Sequence, residues 1–327
     1  MGQTDLAMKE MLKQGEYFAD ICNLLLFHGK QVVQPEKLTP MDTAEELSIR
    51  SRKQNWSIQR QRDVLKLADI SQMEDDHAAY VMIGIENQSE IHYAMPLRNM
   101  LYDALQYSMQ VQEAGEKRGS HSAEFLSGMT AEDKVKPVIT IVVYTGEQLW
   151  EYPLSVRDVV DTTGFTAELL QYIPDTRLLL LDVRHSQDMD LLQTGLRHIF
   201  KATQFYKKKK ELREYILEPT NGFDHVSTLL ANVFEQLVKF KLLDVGAEEE
   251  VNMCEALEEL MQDCREEGID QGRQEELQEV CSTLFKLGTD ENTIAALLHM
   301  RGLDTEQATD LMERCRLAGN VQPSCGL

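Results

Sequence analysis

Two acids and an amide stand where a metal-assisted hydrolysis needs them. In YVMIGIENQ (80–88) successive side chains of an extended chain alternate between faces, so Glu86 and Gln88 share one face with Gly84, while Ile83, Ile85 and Asn87 point the other way. Two positions along a strand separate the Glu86 and Gln88 Cβ atoms by roughly 7 Å, at about 3.3 Å per residue. A small ion fits between them and a neighbouring strand. If residues 59–66 form that neighbour, Asp63 faces the same spot. Two carboxylates around one hard ion suit Mg²⁺, which takes oxygen ligands and keeps several waters. Gly84 would leave room for a substrate backbone to approach. A Glu near a strand end is most often a solvated edge residue, so spacing alone permits a metal site and does no more.

Several elements must hold this segment. Residues 5–27 read as one helix, with Leu6, Met8, Met11, Leu12, Phe18, Ile21, Leu24 and Leu25 as its apolar positions. HGKQVVQPEKLTP, with Gly29, Pro35 and Pro40, breaks it. Residues 59–66 form a short strand, and AAYVMIGIENQ a second, β-branched one. PLRNMLYDALQYSMQVQE (96–113) reads as a helix with Pro96 in its first turn. PVITIVVY (137–144) and TRLLLLDV (176–183) are continuously apolar and read as strands buried on both faces. Residues 186–240 look largely helical. This order indicates an α/β domain with a mixed sheet over residues 1–244, followed by an acidic helical tail over 245–327 that ends in a helical pair. Thr289 or Asp290 can cap the first of that pair, and Thr305 with Gln307 starts the second.

The composition is acidic, with a net charge of −22 over 327 residues. That is awkward for a protein that meets nucleic acid, because phosphates need cationic surface. The charge is unevenly spread. Residues 50–66 carry six basic residues (Arg50, Arg52, Lys53, Arg60, Arg62, Lys66) around one acid, Asp63, whereas 247–277 holds twelve acids and two arginines. Arg60, Arg62 and Lys66 are therefore candidate phosphate contacts, and Trp56 a candidate base-stacking residue or a core one. The four-lysine run Lys207–Lys210 is by default a solvated face. None of the six cysteines forms a CxxC, and none lies near a His cluster, so the expectation is free thiols in a reducing cytoplasm. No apolar run reaches the roughly 18 residues of a membrane span, and MGQTDLAMKEMLKQGE lacks the order of a secretory signal.

RQRDVLK, then YVMIGIENQSEIHYAMPLRNMLYDALQY, then KVKPVITIVVYTGEQLW with YPLSVRDVV, resembles the Rpn family of recombination-promoting nucleases, the YhgA-like transposases, within the PD-(D/E)XK nuclease superfamily. The resemblance covers nearly the whole chain. It implies a restriction-endonuclease-like core that hydrolyses DNA phosphodiesters with Mg²⁺. Asp63 and Glu86 match the family's two acids. Gln88 takes the place usually held by Lys; glutamine can orient water but adds no charge. In such folds the first helix often supplies another acid, for which Asp20 is the candidate ahead of Glu16. Arg98 and Tyr102, one helical turn apart, become candidate DNA contacts, Arg98 either binding a phosphate bidentately or pairing with a nearby acid. His92 could protonate a leaving group. The competing reading is a catalytically weak relative that binds DNA or protein. The tail could form a homodimer, since a double-strand cutter usually needs two active sites, or could mimic DNA through its acidity.

Overall fold

The computed structural model describes residues 3–50, 55–71, 78–116, 129–241 and 249–319; for 3–4, 44–50, 55–61, 116, 263, 264, 267 and 317–319 it describes the backbone only. In chain order the elements are α1 (Gln3–Lys13), α2 (Gly15–Phe27), β1 (Leu38–Pro40), β2 (Ala44–Arg50), β3 (Asn55–Gln61), β4 (Val64–Asp69), β5 (Tyr80–Gln88), α3 (Met95–Glu116), β6 (Val138–Tyr144), α4 (Ala167–Leu170) and β7 (Leu179–Asp182). They continue with α5 (Leu196–Gln204), α6 (Lys209–Leu217), β8 (Val226–Ser227), α7 (Thr228–Val238), β9 (Glu250–Val251), α8 (Met253–Lys286), α9 (Glu291–Met300) and α10 (Thr305–Gly319). Two compact units result, Met1–Cys254 and Glu255–Leu327. Among the described residues no helix is long and apolar enough to cross a membrane.

The first unit is built on a five-stranded mixed sheet in the order β1-β4-β5-β6-β7. β4 runs antiparallel to β1 and β5, while β5, β6 and β7 are parallel. Parallel neighbours need a long crossover, and α3 supplies it between β5 and β6. This is the α/β fold expected, with a mixed sheet flanked by helices in the manner of a restriction-endonuclease-like core. The run at 137–144 behaves as read, with Ile141, Val142 and Val143 fully buried, and β5 is buried from Val81 to Asn87. The run at 176–183 does not: its strand is only Leu179–Asp182 at the sheet edge, with Leu179 and Leu180 partly buried.

Three local readings need correction. The N-terminal helix is two helices, broken at Gln14 between α1 and α2. At the break Gly15 lies against Pro35, whose carbonyl oxygen would stand 3.3 Å from a Cβ. The expected strand 59–66 is two strands with a bend at 62–63, β3 pairing with β2 in a hairpin and β4 joining the main sheet. The 186–240 stretch divides into α5, α6 and α7.

Buried charge ties the layers together. Arg62 is fully buried; it donates to Thr140 Oγ1 on β6 and, at 3.2 Å, to Asp103 Oδ1 on α3, while Thr140 Oγ1 donates to the same Asp103 oxygen at 2.7 Å. Its guanidinium also lies 5.0 Å from the centre of the Tyr102 ring. Gly84 makes room for this arginine, since a Cβ there would collide with the guanidinium; that, and not substrate approach, is why the position is glycine. Farther along the sheet Arg184 donates to the carbonyls of Thr145, Thr203 and Leu237, joining the end of β6 to α5 and α7.

The second unit has its own small core of Leu277, Cys281, Ile294, Leu298, Ala308 and Cys315. Asp290 caps α9, accepting from Thr293 N at 3.0 Å. The start of α10 is capped one residue earlier than expected: Asp304 accepts from Gln307 N, and Gln307 Oε1 accepts from Asp304 N, a reciprocal pair.

Arg62→Ala would leave Asp103 and Thr140 without their cation in a largely closed space. Breaking a buried ion pair on one side is expected to cost about 3 kcal/mol, read as a lower urea midpoint with unchanged secondary structure in the remaining folded fraction.

Candidate active site

The sheet register carries Asp63 to Glu86. Val64 pairs with Ile85 across the antiparallel β4–β5 ladder, so one step back along β4 and one step on along β5 bring Asp63 opposite Glu86. Asp63 sits in the bend before β4, and its Oδ2 accepts the backbone N–H of Asn87 at 3.0 Å. That bond fixes one carboxylate oxygen and leaves Oδ1 directed elsewhere. Gln88, partly exposed, ends the same face of β5. Asp63, Gln88 and Arg98 line a cleft of about 360 Å³ together with Asp5, Asn87, Ser89, Glu90, Ile91 and His92.

Glu86 is the unusual member. Its side chain is 1% exposed, and its pKa is raised from 4.5 to about 8, first by burial and then by the neighbouring Asp63 charge, against the pull of Arg98 and Arg62. Oε2 accepts from Arg98 Nη2 at 3.4 Å. Oε1 is buried and has no hydrogen-bond partner among the described residues. A buried polar atom left without a partner costs free energy, which a cation at that oxygen would remove. Among the described residues no group of three or more His, Cys, Asp or Glu side chains is gathered closely enough to hold an ion by itself. Mg²⁺ does not need one, because one or two carboxylates and waters suffice. Oxygen donors only, an orphaned carboxylate oxygen and a second carboxylate alongside fit such an ion.

Arg98 projects from the first turn of α3. Nε donates to Tyr102 Oη at 2.9 Å, and the guanidinium lies 5.4 Å from that ring's centre. It pairs with an acid, as one of its two readings had it, and remains about one-third exposed. Tyr102 is 1% exposed and lies against both Arg98 and Arg62, so it positions arginines and has no surface for DNA. Two further expected contacts turn inward for the same reason. Arg62 is spent on Asp103 and Thr140. Lys66, 3% exposed, donates to the Lys13 carbonyl at 2.6 Å and lies 4.8 Å from the Phe18 ring centre, where burial lowers its pKa. The side chain of Arg60, with those of Arg50 and Trp56, lies outside the described residues, as do Arg52 and Lys53 altogether. Lys207, exposed, pairs with Glu147 at 3.1 Å. His92 is exposed on the cleft.

The first-helix acid is not where the sequence put it. Asp20, 2% exposed on α2, accepts from Gln193 N, Thr194 N and Thr194 Oγ1 at 2.6–3.0 Å, holding the turn that leads into α5. Its lone pairs are committed to that turn. The acid that reaches the cleft is Asp5 on α1, whose Oδ1 accepts from Asn87 Nδ2 at 3.3 Å. One turn on, Lys9 Nζ lies 3.9 Å from Asp63 Oδ1. Asp5 and Lys9 were legible as an i, i+4 pair on one helix face, but nothing in that spacing says which strand the face covers.

A family model described as "Putative transposase, YhgA-like" matches residues 59–232, which take in Asp63, Glu86, Gln88 and Arg98. No curated protein and no solved structure matches the chain.

The raised pKa of Glu86 makes a stability prediction for the metal-free protein. The folded state holds this proton more tightly than the unfolded chain does. The contribution is therefore fully present below about pH 4.5 and is lost as pH rises through about 8. Urea midpoints measured in chelator across that window should fall for the wild type relative to Glu86→Gln. Parallel curves would mean that Glu86 ionises like an exposed acid.

Proposed function

The chain belongs to the YhgA-like family of putative transposases, and from that membership and the site we propose that it is a Mg²⁺-dependent DNA endonuclease that hydrolyses phosphodiester bonds in DNA recombination or the processing of mobile DNA. The observation that carries the reading is the Asp63–Glu86 pair at the head of β4 and β5, with one Glu86 oxygen buried and unpartnered. Asp63 and Glu86 would hold the ion. When bound, Mg²⁺ polarises a phosphate and lowers the pKa of an attached water.

The chain's own residues do the rest. Gln88, at the open end of the same strand face, offers an amide to orient the attacking water. Arg98, fixed by Tyr102 and one-third exposed, presents the free part of its guanidinium to a phosphate oxygen. Asn87 N–H keeps Asp63 turned toward the cleft. His92, on the cleft rim, is the nearby group able to give a proton to the departing oxygen. One observation favours a second reading, a DNA- or protein-binding relative of low activity: the strand position used for a cation in related nucleases is a neutral glutamine.

A supercoiled-plasmid assay separates the two. Wild-type protein is expected to nick or linearise plasmid with Mg²⁺ and to stop in chelator. Asp63→Ala and Glu86→Ala should each lower the rate by about 100-fold or more, while Asp20→Asn should cost stability and leave the chemistry of the folded fraction intact. Full cleavage by Asp63→Ala would remove the assignment.

A further inference from the structure

We propose that Lys9, delivered from α1, supplies the positive charge that Gln88 lacks, acting on the phosphate at the Asp63–Glu86 site; the proposal rests on the nuclease reading above. The need is set by chemistry. Attack on a phosphodiester builds negative charge on the phosphoryl oxygens, and a nearby cation stabilises it. An amide at position 88 cannot.

The described cations around the site are not equivalent. Arg62 is sealed beneath Gly84 and holds Asp103 and Thr140. Lys66 is sealed under α1 and holds the Lys13 carbonyl. Arg98 is held by Tyr102 and Glu86. Lys9 differs from all three. Its side chain is 17% exposed, and its ammonium lies 3.9 Å from Asp63 Oδ1, the oxygen not used by Asn87 N–H. That distance is an ion pair but too long for a hydrogen bond, so the ammonium is close to the carboxylate without being locked to it. A four-carbon stem lets it swing toward an adjacent phosphate.

The helix that carries it is firmly placed. Met8, Met11 and Leu12 are fully buried, and Lys66 closes the C-terminal end of α1 through the Lys13 carbonyl. Asp5, one turn before Lys9, is tied to Asn87 on β5. The Asp5–Lys9 face therefore meets the end of β5 from the side to which Asn87 points, so Lys9 brings its charge to Asp63 from across the sheet end rather than from the face that Gln88 shares with Glu86.

The test is a charge relocation. Lys9→Met should lower Mg²⁺-dependent plasmid cleavage by about 100-fold, and Lys9→Met/Gln88→Lys should recover at least a tenth of the wild-type rate. The second readout needs no catalysis: Mn²⁺ binding to DNA-free protein, followed by electron paramagnetic resonance. Removing a cation from beside Asp63 should tighten Mn²⁺ binding several-fold, because like charges repel, whereas losing a mere prop for Asp63 should weaken it. Thermal melts of each variant check folding. If Lys9→Met destabilises the protein, Lys9→Gln, which keeps the polar stem, is used for both measurements with the same expectations. Wild-type cleavage by the Lys9 variant while Asp63→Ala is dead would overturn the role of Lys9 and leave the nuclease reading standing, as would weakened Mn²⁺ binding. An inert wild-type protein with both Mg²⁺ and Mn²⁺ would overturn both.

Discussion

A single buried guanidinium fixes the geometry on which the site depends. Arg62 lies just before Asp63 in the chain, and its donors reach α3 and β6 while its guanidinium lies 5.0 Å from the centre of the Tyr102 ring. It therefore sets where the β3–β4 bend sits relative to the sheet, and so where the Asp63 carboxylate begins. The same Tyr102 also holds Arg98, and Arg98 reaches Glu86. One chain of contacts, Asp103–Arg62–Tyr102–Arg98–Glu86, thus connects the core to the two acids. Removing water from a guanidinium is expensive unless its donors are satisfied in good geometry. Here a carboxylate, a hydroxyl and an aromatic face meet that requirement, and glycine at 84 clears the volume.

Burial of Glu86 is the complementary cost. A carboxyl at that depth holds its proton unless a cation offsets the loss of water, and the Asp63 charge beside it strengthens the effect. Arg98 offsets part of this from one side. The other oxygen stays unpaired. A site in which one acid is wet and anchored by a backbone amide, while the other is dry and half-satisfied, is poised to take up positive charge. Stability has been set aside at the place where chemistry is proposed, which is where such violations are expected.

The sheet and its acids were legible because strands have a strict period of two. Alternation in 80–88 placed Glu86 and Gln88 on one face; that Asp63 joins them followed only if its strand paired alongside, which the β4–β5 ladder supplies. The long apolar run at 137–144 announced the buried parallel strand β6, whereas the run at 176–183 yields only the short edge strand β7, whose Leu179 and Leu180 are partly exposed. What the sequence hid were the cases where residue type and location disagree. Arg62, Lys66 and Tyr102 read as surface contacts because charged side chains are rarely buried unless paired, and their partners Asp103, Thr140 and the Lys13 carbonyl are distant in sequence. Asp20 read as a catalytic acid because it lies on the N-terminal helical stretch. The break at Gln14 gives that stretch two helices, and the one that meets the site is the first.

The same reassignment changes how the charge of this protein must be understood. The basic cluster around Asp63 suggested a cationic surface able to offset a net charge of −22. Two of its members, Arg62 and Lys66, are internal struts that hold α1, α3 and β6 in place and contribute nothing to a phosphate at contact distance. On the nuclease reading, attraction for DNA at the cleft must then come from charge that is mobile or borrowed: the Lys9 ammonium, the free edge of Arg98, and the ion between Asp63 and Glu86. Without that ion the cleft would hold the Asp5, Asp63 and Glu90 carboxylates and repel phosphate; with it, the local sign would change. On that reading metal binding and DNA binding would be one event at this site, and the metal-free protein would be kept off nucleic acid by its own acidity.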